Sequence, residues 1–405
     1  MLYPDYLLRV SEPSEEIASE LHAYILSQIV ERIVLRISRG DDYIFTPRDY
    51  SQISILQESG ELMEDITAEI AKLTKVQQKE ILDAMNEAGV KALEYDDKIY
   101  ADAGLSPIPL QQSPYLTRVI ERGYNATANE WENFTRTTAQ AAQQTFVKAV
   151  DKAYTLAVSG AVSTSQAVRE AVNEVAQDGV YIEYPSGRKD TIETATLRAV
   201  RTGIAQMSSE ITIARMDEME WDIILTSAHL GARTGDGGEN PGNHEWWQGK
   251  FLSRLGKSNF PDFVKTTGYG TVTGLSGTNC RHSFGPGDGK HNPFKDIDTG
   301  ESRRIEKLNK QQRALERRIR KTKRTVQVLK TAINACKDEQ LKFDLQQDYD
   351  RKSFLLSQQN KAYRDFNEEN GLRNLDDRLR IAGWDREQAA TARGAAMRYK
   401  NLKEK

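Results

Sequence analysis

The sequence predicts a mainly α protein with a small α+β, glycine-rich lobe and a C-terminal helical hairpin or coiled coil. Three observations carry that prediction. Apolar residues recur at helical spacing through the first 220 positions. Residues 229–289 hold 14 of the 27 glycines, a density that disfavours helix. After residue 300 the apolar period becomes a heptad. The 405 residues suffice for two or three cores.

Residues 14–39 place Ile17, Leu21, Ile25, Ile29 and Ile33 four apart on one stripe, with Gly40 positioned to end the helix. Thr46, Pro47 and Asp49 supply an N-cap, a first-turn proline and a first-turn acid for the next short helix. Residues 61–103 follow, with Leu62, Ile66, Ile70 and Leu73 on one face, and close in the turn-rich 103–109, a joint between helical subdomains. Residues 115–158 continue helical, rich in Ala, Thr, Gln and aromatics. In 164–177, Ala167, Val168, Ala171, Val172 and Val175 form another amphipathic stripe. The rhythm changes at Gly179: 180–184 reads as a strand, Pro185 to Gly187 as a turn, and Asp190 with Glu193 as a capping box opening a helix to about Glu220. A second strand is expected at 221–227, then the glycine-rich lobe.

With heptad position a at Ile305, Gln312, Ile319, Val326, Ile333 and Gln340, position d falls at Leu308, Leu315, Thr322, Leu329, Cys336 and Phe343. Most of these seam positions are apolar, as a coiled coil or one arm of a hairpin requires. Residues 334–338 suit the tip. Leu341, Leu345, Tyr349, Leu356, Tyr363 and Phe366 would line a returning arm that Gly371 stops, and the tail carries one more short helix.

Composition excludes several classes. No stretch approaches the roughly 18 apolar residues of a membrane span, and the start lacks a signal peptide's apolar region. Cys280 and Cys336, the only cysteines, cannot build a disulfide framework and fit a reducing cytoplasm. The net charge of −3 hides a segregation: residues 1–300 carry 29 Lys+Arg against 43 Asp+Glu, whereas 301–330 carry 12 against 3. An acidic body and one basic rod imply different partners, the rod's being a polyanion or an acidic protein face. Arg303, Arg304, Lys307, Lys310, Arg313, Arg317, Arg318, Arg320, Lys321, Lys323 and Arg324 are candidates for non-specific contact with DNA phosphates. Solvation of the helix and pairing with acids on the returning arm is the other reading of the same residues.

The densest candidate chemistry lies in the lobe. His229, His244, Cys280 and His282 would supply four nitrogen and sulfur ligands, the set that tetrahedral zinc takes, although Cys-x-His is not a usual zinc pairing. An enzyme would draw on the same residues, with Cys280 as nucleophile and His229 or His244 as base, or with His244 and Glu245 as a hydrolytic pair. No P-loop, dinucleotide fingerprint or His-Glu-x-x-His accompanies them, and no cofactor is called for beyond a structural zinc. The purely structural reading makes His229, Arg233, His244, Trp247, Gln248, Asn279 and Arg281 a paired polar cluster that knits the loops of a lobe with little periodic core.

Taken in order, Tyr184 to Arg188, Arg198 to Gly203, Ser227 to Arg233, His244 to Lys250, Thr267 to Gly270 and Gly277 to Phe284, followed by the basic stretch Gln311 to Arg320, resemble the phage minor capsid protein 2 family. The likeness runs over roughly residues 1–370, and that family is related in role to the Mu F-like head morphogenesis proteins of tailed phages. The longer loop 234–243 and Gly285-Pro286-Gly287 depart from its pattern. The resemblance implies a minor head component near the portal vertex, made in the bacterial cytoplasm and packaged inside the capsid, with the portal, the major capsid or scaffold protein and double-stranded DNA as partners. A corresponding division is a helical docking region at 1–110, a helical region at 111–179, the lobe at 180–300, the basic hairpin at 301–370 and a tail at 371–405. A hydrolase or nuclease-like effector delivered with the genome is the alternative from another class, and a general DNA-compacting protein is a third.

Overall fold

The computed structural model describes residues 1–37 and 52–404; Gly40, Thr46, Pro47 and Asp49 lie outside them. The described residues are 69% helical and carry only small antiparallel sheets, as the sequence predicts. Among the described residues no helix is long and apolar enough to cross a membrane. The helices are α1 (Pro4–Arg9), α2 (Glu12–Ile37), α3 (Gln52–Asp102), α4 (Pro114–Val158), α5 (Thr164–Asp178), α6 (Ile192–Glu218), α7 (His244–Trp247), α8 (Phe263–Thr267), α9 (Thr299–Ala335), α10 (Glu339–Glu369) and α11 (Arg386–Lys403). Two compact units divide the chain, each assembled from three separate segments.

The first unit comprises residues 1–15, 75–132 and 194–310. Its helical core gathers Leu2 and Leu7 with Ile81, Met85 and Ala88 of α3, Leu116 and Ile120 of α4, and Val200, Ile204 and Ile211 of α6. At the α4–α6 crossing a side chain on Gly203 would place its Cβ 2.2 Å from Thr127 Oγ1, so only glycine admits this approach. The predicted second strand is β3 (Ile223–Thr226), the centre of an antiparallel sheet ordered β4-β3-β5, with β4 at Phe251–Ser253 and β5 at Phe284–Pro286. Beneath it Ile224, Leu252 and Phe284 join Trp247, Phe263, Leu275 and Cys280 in the apolar core of the lobe.

The second unit comprises residues 16–74, 133–193 and 311–405. The predicted stripe Ile17, Leu21, Ile25, Ile29 and Ile33 is buried, as are Leu62, Ile66 and Leu73 of α3, while Ile70 is half-buried. α3 begins about nine residues before the predicted start, and its first turns bury Ile55 and Ser59 in step with Leu62 and Ile66. Ser163 caps α5 by accepting from Gln166 N at 3.2 Å. The strand expected at 180–184 shrinks to β1 (Ile182–Glu183), paired with β2 (Lys189–Asp190) across the predicted turn. Glu193, at the start of α6, carries its carboxylate to His22 and Arg324.

α9 and α10 run antiparallel in this unit: Gln312 Nε2 donates to Asn367 Oδ1 at 2.9 Å, and Ile319 packs with Leu356 and Tyr363. The heptad residues Ile319, Val326, Leu329 and Ile333 are buried. Helix α9 ends at Ala335, and Asp338 caps α10 through Leu341 N at 2.7 Å. Gln340 and Phe343 therefore belong to the returning arm, where Phe343 is 59% exposed. The tail helix α11 buries Ala392, Ala395 and Ala396 and anchors Arg398 on Asp350 at 2.7 Å.

Candidate functional site

The lobe's strand register places its histidines. Thr226 of β3 faces Phe284 of β5, and the ladder continues one step, with Ser227 N donating to Ser283 O at 2.8 Å and Ser283 N to Ser227 Oγ at 2.9 Å. The residues following β3 thus meet those preceding β5, and the rings of His229 and His282 stack 4.3 Å apart. Helix α7 supplies the third histidine. Asn243 caps it through Trp246 N, Glu245 N donates to Arg233 O at 3.1 Å, and Trp247 Nε1 donates to Pro241 O at 3.0 Å. Trp247 is fully buried, with its ring 4.6 Å from His244 and 4.9 Å from His282.

The glycines between α8 and β5 close the site from the other side. A Cβ on Gly274 would fall 2.1 Å from Gly268 O, so the loop folds back on itself only because that position is glycine. The tight loop presents Thr273 O to His244 Nε2 at 2.8 Å. Asn279 follows in the left-handed region at φ 59°, turning the chain so that Cys280 and His282 both point inward.

His244, Cys280 and His282 are buried with their ligand atoms within 4.8 Å of one another. The Nδ1 atoms of the two histidines are 3.4 Å apart, and Cys280 Sγ lies 3.7 Å from His244 Nδ1 and 3.8 Å from His282 Nδ1. Gln248 Oε1 accepts from His229 N at 3.1 Å and meets His282 Nε2 at 3.1 Å. Burial pushes the His244 imidazolium down to about 4 and His282 well below the usual histidine range, in the latter case helped by the neighbouring His229 and His244. Burial also pushes the Cys280 thiol up, the reverse of what a nucleophilic thiolate needs.

Of the sequence candidates, the structure brings together His229, His244, Cys280, His282, Trp247 and Gln248. Arg233 braces the loop by donating to Thr278 O at 3.0 Å, and Arg281 donates to Gly231 O at 3.3 Å. His229 is not one of the three convergent ligands; its Nδ1 meets Leu230 O at 2.9 Å.

The first turns of α9 tie into the lobe. Gly231 N donates to Ser302 Oγ at 3.1 Å, Thr234 Oγ1 to Glu306 at 3.1 Å, and Arg303 pairs with buried Glu245 at 2.8 Å. The basic candidates thus differ in their tasks. Arg304 and Lys310 pair along the helix with Glu301 and Glu306. Arg324 pairs with Glu193, and half-buried Lys323 donates to Leu379 O at 2.7 Å with its ammonium 5.6 Å from the Trp384 ring centre. Arg320 is partly buried, whereas Lys307, Arg313, Arg317, Arg318 and Lys321 are exposed. Sequence reasoning missed the buried His22–Glu193–Arg324 network. Its members lie 171 and 131 residues apart, and no local pattern links them.

Comparison of the sequence with known families places this mostly helical chain among the capsid proteins of phages. A family model described as phage minor capsid protein 2 matches residues 2–367, nearly the whole chain. The protein belongs to that family: it is a bacteriophage minor capsid protein, a component of the virion. No curated protein and no solved structure matches it.

Proposed function

We propose that this minor capsid protein sits inside the head at the portal vertex, docks on the portal and the inner shell or scaffold through its acidic regions, and meets the packaged genome with the cations of α9. The observation that carries the DNA contact is the outward face of that helix in the second unit. Arg313, Arg317 and Lys321 recur every four residues and stand exposed beside Arg318, while Ile319, Val326 and Leu329 occupy the buried side. Such a row neutralises phosphates without reading bases, so the contact is sequence-independent and salt-sensitive. The opposite sign of residues 1–300 favours partners other than DNA for the rest of the chain, and charge complementarity selects them without turnover.

Co-purification with the neighbouring portal protein at low and high salt, for the wild type and an Arg317→Gln, Arg318→Gln, Lys321→Gln variant, tests both halves. The three side chains are exposed, so the variant keeps its fold. Portal capture that survives the substitution and weakens at high salt, with DNA binding weakened in the variant, is the expected result. Absence of portal binding in every condition would turn the reading toward a delivered effector or a DNA-compacting protein.

A further inference from the structure

We propose that His244 Nδ1, Cys280 Sγ and His282 Nδ1 form a zinc site that clasps the glycine-rich lobe. The distances carry the argument first. A tetrahedral zinc with Zn–N near 2.05 Å and Zn–S near 2.3 Å holds two nitrogens about 3.3 Å apart and a nitrogen and a sulfur about 3.6 Å apart. The three edges of this triangle measure 3.4, 3.7 and 3.8 Å.

Proton placement is the second argument. Thr273 O only accepts, so His244 Nε2 carries the ring proton and its Nδ1 is a bare lone pair. Gln248 is oriented by the backbone N–H of His229, which donates to its Oε1; that oxygen also takes the Nε2–H of His282, leaving the second Nδ1 bare. Two lone pairs therefore face each other in a buried pocket with a single S–H proton nearby, an arrangement that costs energy unless a cation lies between them. Both outer hydrogen bonds, one to a backbone carbonyl and one to an amide oxygen, are the kind that orient metal-bound imidazoles.

On binding, the thiol loses its proton to solvent and a sulfur–zinc bond forms, giving a site of two neutral imidazoles and one thiolate with water in the fourth position. The ligands join α7 to the entry of β5 across 36 residues of glycine-rich chain, so the ion acts as a cross-link between segments distant in sequence.

Elemental analysis of the full chain, purified without chelator and incubated with zinc, is expected to give about one zinc per chain, falling to background in Cys280→Ser and in His282→Gln. Cobalt loading of the wild type provides a measurement independent of how the variants fold. Thiolate-to-cobalt charge-transfer absorption with a tetrahedral visible spectrum is expected, and a picolinate chelator should lower the melting temperature reversibly. A wild type that holds no stoichiometric zinc, or whose cobalt form lacks the thiolate band, overturns the assignment.

Discussion

At the scale of single residues, a buried carboxylate and a half-buried ammonium each make stability rise with pH, in separate windows. Burial alone would raise Glu193, but His22 at 2.9 Å and Arg324 outweigh it and hold the carboxyl below its ordinary 4.5. A carboxyl depressed in the folded state stabilises fully above its unfolded value, and the contribution fades as pH falls below 4.5. Urea midpoints followed from about pH 6 to about pH 3 should therefore decline. Glu193→Gln should flatten that decline and, by leaving Arg324 without its carboxylate, cost about 3 kcal/mol at neutral pH. Lys323 acts with the same sign in an alkaline window. Burial lowers its ammonium to about 8 from 10.5, so between those values the unfolded chain binds more protons and stability rises with pH. Lys323→Met should abolish that rise, as measured by denaturant titrations across the same window. Neither residue was legible for its task in the sequence: Lys323 reads as one cation among twelve, and only the fold shows Leu379 O above it.

At the scale of elements, periodicity was a reliable guide wherever one face of a helix meets a core. The stripes of α2 and α5 and the heptads of α9 up to Ile333 were visible because burial repeats with the helical turn. The heptad pattern overran the end of α9 because Gln340 and Phe343 keep the register by coincidence after the chain has turned at 336–338. In the lobe the residue types were legible and their contacts were not, since glycine-rich loops obey no period and only the β3–β5 register brings 227 beside 283. Two substitutions measure these local rules by thermal or chemical melting. Ser163→Ala removes the cap of α5 and should cost about 1 kcal/mol. Gly274→Ala drives a methyl into the Gly268 carbonyl and should cost about 3 kcal/mol, with loss of the histidine positioning that Thr273 O provides.

At the scale of the whole molecule, the segregation of charge makes the proposed DNA contact the interaction most exposed to salt. Each phosphate contact contributes about −0.9 to the slope of log affinity against log salt. Replacing Arg317, Arg318 and Lys321 by Gln should thus reduce the slope by up to about 3, read by fluorescence anisotropy on duplex DNA of any sequence. The interleaving of segments in the two units has a further consequence, for synthesis on the ribosome. The first unit needs residues 1–15, 75–132 and 194–310 together, and the second needs residues from 16 to 405. Neither can close around its first segment until a much later one has been translated, so early helices emerge with their apolar stripes uncovered. Folding by long-range closure is slow and leaves such surface open to aggregation or to chaperones. Nascent chains arrested before residue 310 should accordingly be degraded by protease throughout their length, and protection should arrive late, one unit after the other.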